Sequence, residues 1–406
     1  MTDDRVLIVG GGIGGLATAI GLKRRGVPFT LIERAPELRE IGAGIQLWTN
    51  AVYALEQLGL ADKAEAIGQP VEQMIFRSSK GAVLVSIPIA ELAARAGTRS
   101  PMIVQRPHLL NMLADELRDE PLELGASLTT FEQDDAGVTV TLDDGRRLRG
   151  AALIAADGAR SAIRTAILPG KGVEYRGYQY LRALAPPMQT SIGPGQSSFL
   201  LGPGDRFGIE CGHKWTYWFA VIMTPEGTQD SPKGRKQDML DRFRGFASPV
   251  PEAIEATPEE SIGRSDIYDL DPLEKWVEGR VALIGDAAHA VTPNRGRGAA
   301  ESLEDAVVLS SCLGGVDSLA NGVEVTAALR QFEALRRPSA IKIQKSTRKI
   351  GEIANWSNPV QCAMRNFLMK NIISRAMLKE MRDECIELGE RRGGGSAPPS
   401  LQADAG

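Results

Sequence analysis

The chain has 406 residues with 47 basic and 51 acidic side chains, a net charge of −4. That length gives room for two or three domains with a large core and excludes a stapled mini-protein, and the slight acidity argues against a nucleic-acid binder. Glycine is in excess, 44 residues or roughly 11 % against about 7 % in average usage.

Val6-Leu7-Ile8-Val9 reads as a buried parallel strand. Gly10-Gly11-Gly12-Ile13-Gly14-Gly15 follows, then a helical pattern from Leu16 to Gly26, then a second strand through Ile32 that ends at Glu33. Strand, glycine turn, helix, strand and acid make one βαβ unit. Period-two runs at about 71–100 predict an antiparallel excursion, and His108 to Leu117 an amphipathic helix. Val138 to Leu142, the Asp144-Gly145 turn and a return through Leu148 predict a hairpin. Ala151–Ala156 is again a buried strand and stops at Asp157-Gly158.

From about 172 to 269 short β-like runs carry Tyr175, Tyr178, Tyr180, Tyr217, Trp215, Trp218, Phe199, Phe207 and Phe219. This composition predicts a separate sheet with an aromatic face. Alternation along a strand places Trp215, Tyr217 and Phe219 together and Trp218 opposite. The buried pattern resumes at Val281–Ile284, so the first domain is discontinuous. The expected fold is α/β: a Rossmann-like domain over 1–170 and 270–345, interrupted by a mainly antiparallel β-sheet domain over 171–269. Helices follow over 346–390, and a Gly/Ala/Pro/Ser-rich tail at 391–406 is expected to be disordered.

Four cysteines lie far apart and there are three histidines, so no metal centre is expected. The apolar stretch Val6–Leu22 follows Asp3-Asp4 and is rich in glycine, which argues against a signal peptide; a cytoplasmic protein without a stable membrane span is expected.

In the GxGxxG string Gly10 permits the tight turn, Gly12 lets backbone N–H groups approach a pyrophosphate, and Gly15 lets helix and strand pack closely. Glu33, 18 residues beyond Gly15, is placed to accept from ribose hydroxyls. Two further strings each follow a buried strand: DGxxSxxR from Asp157 to Arg164, and GDAAH…P from Gly285 to Pro293.

The three strings together resemble the signatures of single-component, group A flavoprotein monooxygenases, the family of salicylate hydroxylase and 4-hydroxybenzoate hydroxylase, over about residues 5–345. The resemblance implies FAD as cofactor and NAD(P)H as a transient reductant, since no second GxGxxG with a following acid occurs. It implies that Gly10, Gly12, Ile13, Gly14 and Gly15 cradle the pyrophosphate, that Glu33 and Arg34 face the adenosine, and that Gln46 and Arg106 contact the flavin nucleotide. Asp286 would hold the ribityl chain, and Asp157 is similar to the aspartate associated with both FAD and the reductant. Pro293, Gly296, Arg297, Gly298 and Ala299 would run beside the flavin ring, with the next helix N-terminus aimed at its N1–C2=O edge. The implied reaction uses NAD(P)H and O2 to hydroxylate an aromatic or electron-rich ring through a C4a-hydroperoxyflavin. Epoxidation of an isoprenoid or olefin, or a flavin redox module without oxygenase turnover, are the alternatives. Arg182, Phe199, Phe207 and Trp215 are candidates for the substrate pocket, and His213 and Tyr217 for a base that deprotonates a phenol. The partners are then a small aromatic or olefinic molecule and dioxygen, on a monomer or homodimer.

Plainer readings stand beside these. Asp157 and Asp286 suit helix N-caps, His289 a structural histidine, Arg164 a surface ion pair, and each aromatic residue core packing. The family loop commonly reads PxxGQG, whereas here Arg295 and Arg297 flank Gly296; they are expected to meet an acidic substrate, the flavin or solvent. Trp48 is bulkier than the family residue there. The basic run Arg336, Arg337, Lys342, Lys345, Arg348 and Lys349 reads as a solvated helix face. Met364, Phe367, Leu368, Ile372, Met377, Leu378 and Met381 form an amphipathic stripe, expected to pack on the protein itself rather than on a second copy or on lipid.

Overall fold

The structure, a computed structural model, describes residues 4–38, 43–188, 190–212 and 214–393. A six-stranded sheet runs in the order Leu122–Leu124, Phe29–Glu33, Val6–Val9, Ala152–Ala155, Val281–Leu283 and Val277–Glu278. The first five strands are parallel. The β-branched and leucine side chains of the four inner parallel strands are sealed on both faces, as their unbroken apolar runs require, while the edge strand leaves Leu124 exposed.

The helix Ile13–Lys23 leaves the Val6–Val9 strand through the glycine turn and packs on the helix Gly298–Gly314. Small residues set that spacing: a Cβ on Gly14 would lie 3.3 Å from the Ser302 Cβ, and one on Gly21 2.4 Å from the Ser310 Oγ. The chain after Pro293 is thereby brought over the glycine turn.

The second large sheet has seven strands, ordered Gly263–Leu270, Val173–Ala185, Thr216–Met223, Arg206–Cys211, Gln196–Leu201, Gln73–Ser78 and Val83–Ile87. All neighbours are antiparallel except Gln196–Leu201 with Gln73–Ser78. The excursion expected at 71–100 thus supplies two strands to the aromatic sheet, a pairing across more than a hundred residues that periodicity cannot show. One face of this sheet packs Phe207, Trp218 and Ile209 against the helices Arg235–Phe243 and Val250–Glu255. Tyr217, Phe219, Phe199 and Leu201 lie on the other face.

The hairpin Gly137–Leu142 to Arg147–Gly150 forms as expected, and the helix expected from His108 begins at Arg106. Beyond Ala299 the chain is helical: Gly298–Gly314, Gly322–Ala354, and a continuous helix over 359–393 whose middle turn, Met369–Ile373, is π. Asn358 starts that last helix, its Oδ1 accepting from Val360 N at 2.9 Å with Pro359 in the first turn. The tail beyond 393 lies outside the described residues.

Candidate active site

A continuous cavity of ≈ 720 Å³ lies between the two sheets. One end is built by backbone. At Gly10, φ of +111° and a would-be Cβ 2.2 Å from Ala156 O make glycine obligatory, while a Cβ on Gly15 would lie 1.9 Å from Gly10 O. These two therefore shape the turn from outside the cavity. Gly12, Ile13 and Gly14 line it, and a Cβ on Gly12 would meet nothing within 4 Å. Gly12 caps its helix without a side-chain hydrogen bond, so the first N–H groups face open space. A free glycine cradle at the positive end of a helix suits a dinucleotide pyrophosphate, and the residues present fit FAD.

The Glu33 carboxylate accepts from Gly11 N at 2.5 Å and Ala35 N at 2.9 Å; neither Glu33 nor Arg34 borders the cavity. Asp157 also lies off it. One of its oxygens accepts from Ile163 N at 3.3 Å, while Ser161 is the N-cap of that helix. Asp286 is exposed on the cavity wall and Gly285, not Asp286, is the N-cap there. Arg164 is not a surface partner but fully buried. It donates to the carbonyls of Ala159, Lys171 and Ala287, tying the DGxxSxxR segment to the GDAAH segment. His289 is structural: its Nε2 lies 2.6 Å from the buried Asp305. Burial raises the Asp305 carboxyl, but the His289 and Arg336 charges prevail and hold it at about 2.

Pro293, Gly296, Arg297, Gly298 and Ala299 form one wall, and the N-terminus of the helix Gly298–Gly314 opens onto it without a side-chain cap. Trp48 borders the same wall and donates from Nε1 to Arg295 O at 2.9 Å, holding the loop rather than narrowing it alone. Arg295 and Arg297 point neither to solvent nor into an open anion site. Arg295 pairs with Glu380 at 2.7 Å and Arg297 with Glu384 at 2.6 Å, both on the C-terminal helix. Arg336 of the basic run is likewise internal, bridging Glu301 at 2.8 Å, Glu304 and Asp305 at 2.8 Å, and Arg348 pairs with Asp269. Only the lysines of that run, Lys342, Lys345 and Lys349, are exposed.

The other end of the cavity is an aromatic box. Phe76, Phe199, Tyr180, Phe219 and Tyr217 border it, with Phe76 stacked on Phe199 and Tyr180 on Phe219, each pair with centroids 5.0 Å apart. Arg182 and Gln46 border it too, as does Arg106. Phe207 touches the cavity edge, but its ring stacks on Trp218 at 5.2 Å and so belongs to the opposite core. Trp215 is buried beside the box without bordering the cavity. His213 lies outside the described residues.

Tyr217 is unsuited to act as a base: burial pushes its phenol up to about 12. Its hydroxyl shares a hydrogen bond with that of Tyr180, whose own value burial raises well above the usual one. Both stay protonated at neutral pH. The Arg182 guanidinium is near enough to favour negative charge on either hydroxyl.

Behind Tyr217 lies Glu210, its cross-strand partner, which sequence reasoning passed over. One oxygen accepts from Ser197 Oγ at 2.7 Å and from Gln46 Nε2; the other has no partner among the described residues. Burial pushes this carboxyl up to about 8. Arg206, also missed, is buried and donates to Asn294 Oδ1 at 2.7 Å, joining the aromatic sheet to the loop after Pro293. Two lone charges in the wholly buried strand Arg206–Cys211 were the signal available in sequence. Met369, Ile373, Met377 and Met381 of the C-terminal helix close the box.

A phosphate cradle that opens without a partition into an aromatic box defines a flavoprotein monooxygenase site of the group A, aromatic-hydroxylase type. The comparisons agree: residues 3–347 match the FAD binding domain family, and the chain belongs to it. It is 39 % identical over 371 residues to "Aurachin C monooxygenase/isomerase" of Stigmatella aurantiaca, covering 91 % of this chain and 94 % of that protein. It is 34 % identical to "FAD-dependent urate hydroxylase" of Klebsiella pneumoniae, covering 82 % and 85 %. A crystal structure of Klebsiella pneumoniae HpxO complexed with FAD and uric acid superposes with a TM-score of 0.86 at 30 % identity, covering 94 % of this chain and 97 % of that one.

Proposed function

We propose that this protein uses NAD(P)H and dioxygen to hydroxylate an electron-rich ring that carries a phenolic, enolic or carbonyl oxygen and an apolar substituent. The observation that carries this reading is the Arg182 guanidinium and the protonated Tyr180–Tyr217 pair set within the aromatic box. Bound FAD supplies the hydride acceptance and oxygen transfer. The chain's part is to hold the ring in the box and to exclude water with Phe76, Phe199 and Phe219.

Tyr217 donates its hydroxyl proton in a hydrogen bond to the substrate oxygen. Arg182 favours the ionised substrate, since an opposite charge within about 4–6 Å lowers the pKa of an acid, and ionisation raises the electron density of the ring. Methionine and isoleucine side chains of the C-terminal helix take the apolar substituent. The reductant visits without a domain of its own, and the setting is the cytoplasm.

The test is a screen of ring compounds with purified holoprotein, following NAD(P)H oxidation together with hydroxylated product and peroxide. A compound that yields product is expected to show a KM raised at least tenfold in Arg182→Met. Peroxide alone from every compound would overturn the hydroxylase reading, and unchanged kinetics in the variant would remove Arg182 from it.

A further inference from the structure

Among the described residues no helix is long and apolar enough to cross a membrane. The continuous helix over 359–393 is nevertheless apolar on two faces. Its inner line, Met369, Ile373, Met377 and Met381 after Arg365, recurs at four-residue intervals and borders the cavity. Sequence patterning merged this line with a second one. Val360, Met364 and Phe367 follow i, i+4, i+7 on the outer side, where they are 77 %, 47 % and 63 % exposed. The π turn then matters: with its wider period, Ile372, five residues after Phe367, stays on that outer line and is 58 % exposed. Arg375 and Lys379 continue the line and are exposed, with Lys370 beside it.

No acid occurs from residue 353 to 379, while Arg365, Lys370, Arg375 and Lys379 do. The next two acids on the inner side, Glu380 and Glu384, turn toward Arg295 and Arg297. What faces out is a row of four large apolar side chains followed by cations.

We propose that this outer face docks on an anionic lipid bilayer, lying in the interface without spanning it. Exposed aliphatic and aromatic groups in line with lysine and arginine are what such a surface binds, the former entering the acyl boundary and the latter meeting the headgroups. Two-fold pairing with a second copy would instead press an acid-free cationic segment against its own kind. Ile350 and Ala376 border the cavity and are themselves exposed, so the docked face adjoins the cavity rim.

The docking is read without turnover, so its failure is distinct from failure of the hydroxylase reading. Full-length holoprotein is floated with vesicles of phosphatidylcholine alone or mixed equally with phosphatidylglycerol. The expected result is at least about tenfold more protein on the anionic vesicles, falling as salt is raised. Phe367→Glu/Ile372→Glu and Arg375→Glu/Lys379→Glu are each expected to lose about tenfold in binding while keeping wild-type flavin content and melting temperature. None of these four side chains borders the cavity. Wild-type protein left unbound, or variants that float like wild type, would overturn the proposal. So would a concentration-dependent dimer that Phe367→Glu/Ile372→Glu dissociates in the absence of vesicle binding.

Discussion

Glu210 shows what one buried group does to pH dependence. Unfolded, its carboxyl ionises near its ordinary value of 4.5; folded, burial pushes this to about 8. Between those values the native state binds the extra proton, so stability falls as pH rises across that window and levels off above it. A Gln at this position mimics the neutral acid and still accepts from Ser197 and Gln46. The Glu210→Gln variant is therefore expected to match wild type at pH 4.5 and to exceed it at pH 8.5 by a few kcal/mol, from about 1.4 kcal/mol per unit. Thermal melts at the two pH values check this. A constant difference between the proteins would show that Glu210 ionises freely. Such groups were hard to read in sequence, because their character comes from neighbours such as Ser197 and Gln46, 13 and 164 positions away. Gly10 and Gly15 were legible because backbone geometry alone dictates them, and Gly12 because it completes their spacing.

At the scale of elements, helices and strands followed from periodicity, but the association of the C-terminal helix with the loop after Pro293 did not. Arg295 and Arg297 meet partners 85 and 87 residues away. Arg297, its side chain 13 % exposed, lies between Glu384 and the buried Glu301. Replacing it by Gln, the residue of the common family loop, takes the cation from Glu384 while Glu301 keeps Arg336. Removing one partner of a fully buried pair costs about 3–5 kcal/mol, and partial exposure reduces this to about 2–3 kcal/mol here. Arg297→Gln is expected to lower the melting temperature and to speed amide exchange over 374–388. Adding Glu384→Gln should recover part of the loss, since it removes the stranded charge. Additive losses in the double variant would mean that the pair does not hold the helix.

Across the whole molecule, four of the segments that wall the cavity lie around residues 12–14, 180–219, 284–299 and 350–384. Sequence reasoning found the first and third through their glycine strings and part of the second through its aromatic alternation. The Gln73–Ser78 strand and the C-terminal helix joined only through tertiary pairing. A ligand touching all four segments binds the folded chain and not the unfolded one, so it raises stability by RT ln(1 + [L]/Kd), about 2.7 kcal/mol at a hundredfold excess over Kd. Apoprotein titrated with FAD is expected to show a melting temperature that climbs with the logarithm of FAD concentration. Gly12→Val isolates the cause. Gly12 has an ordinary φ of −75°, and a Cβ there meets no protein atom within 4 Å, so the variant should fold as the wild-type apoprotein does. Its added methyl groups occupy the phosphate cradle instead. Its melting temperature should equal that of wild-type apoprotein and stay flat as FAD is added. A Gly12→Val protein that FAD stabilises as it does the wild type would place the pyrophosphate elsewhere.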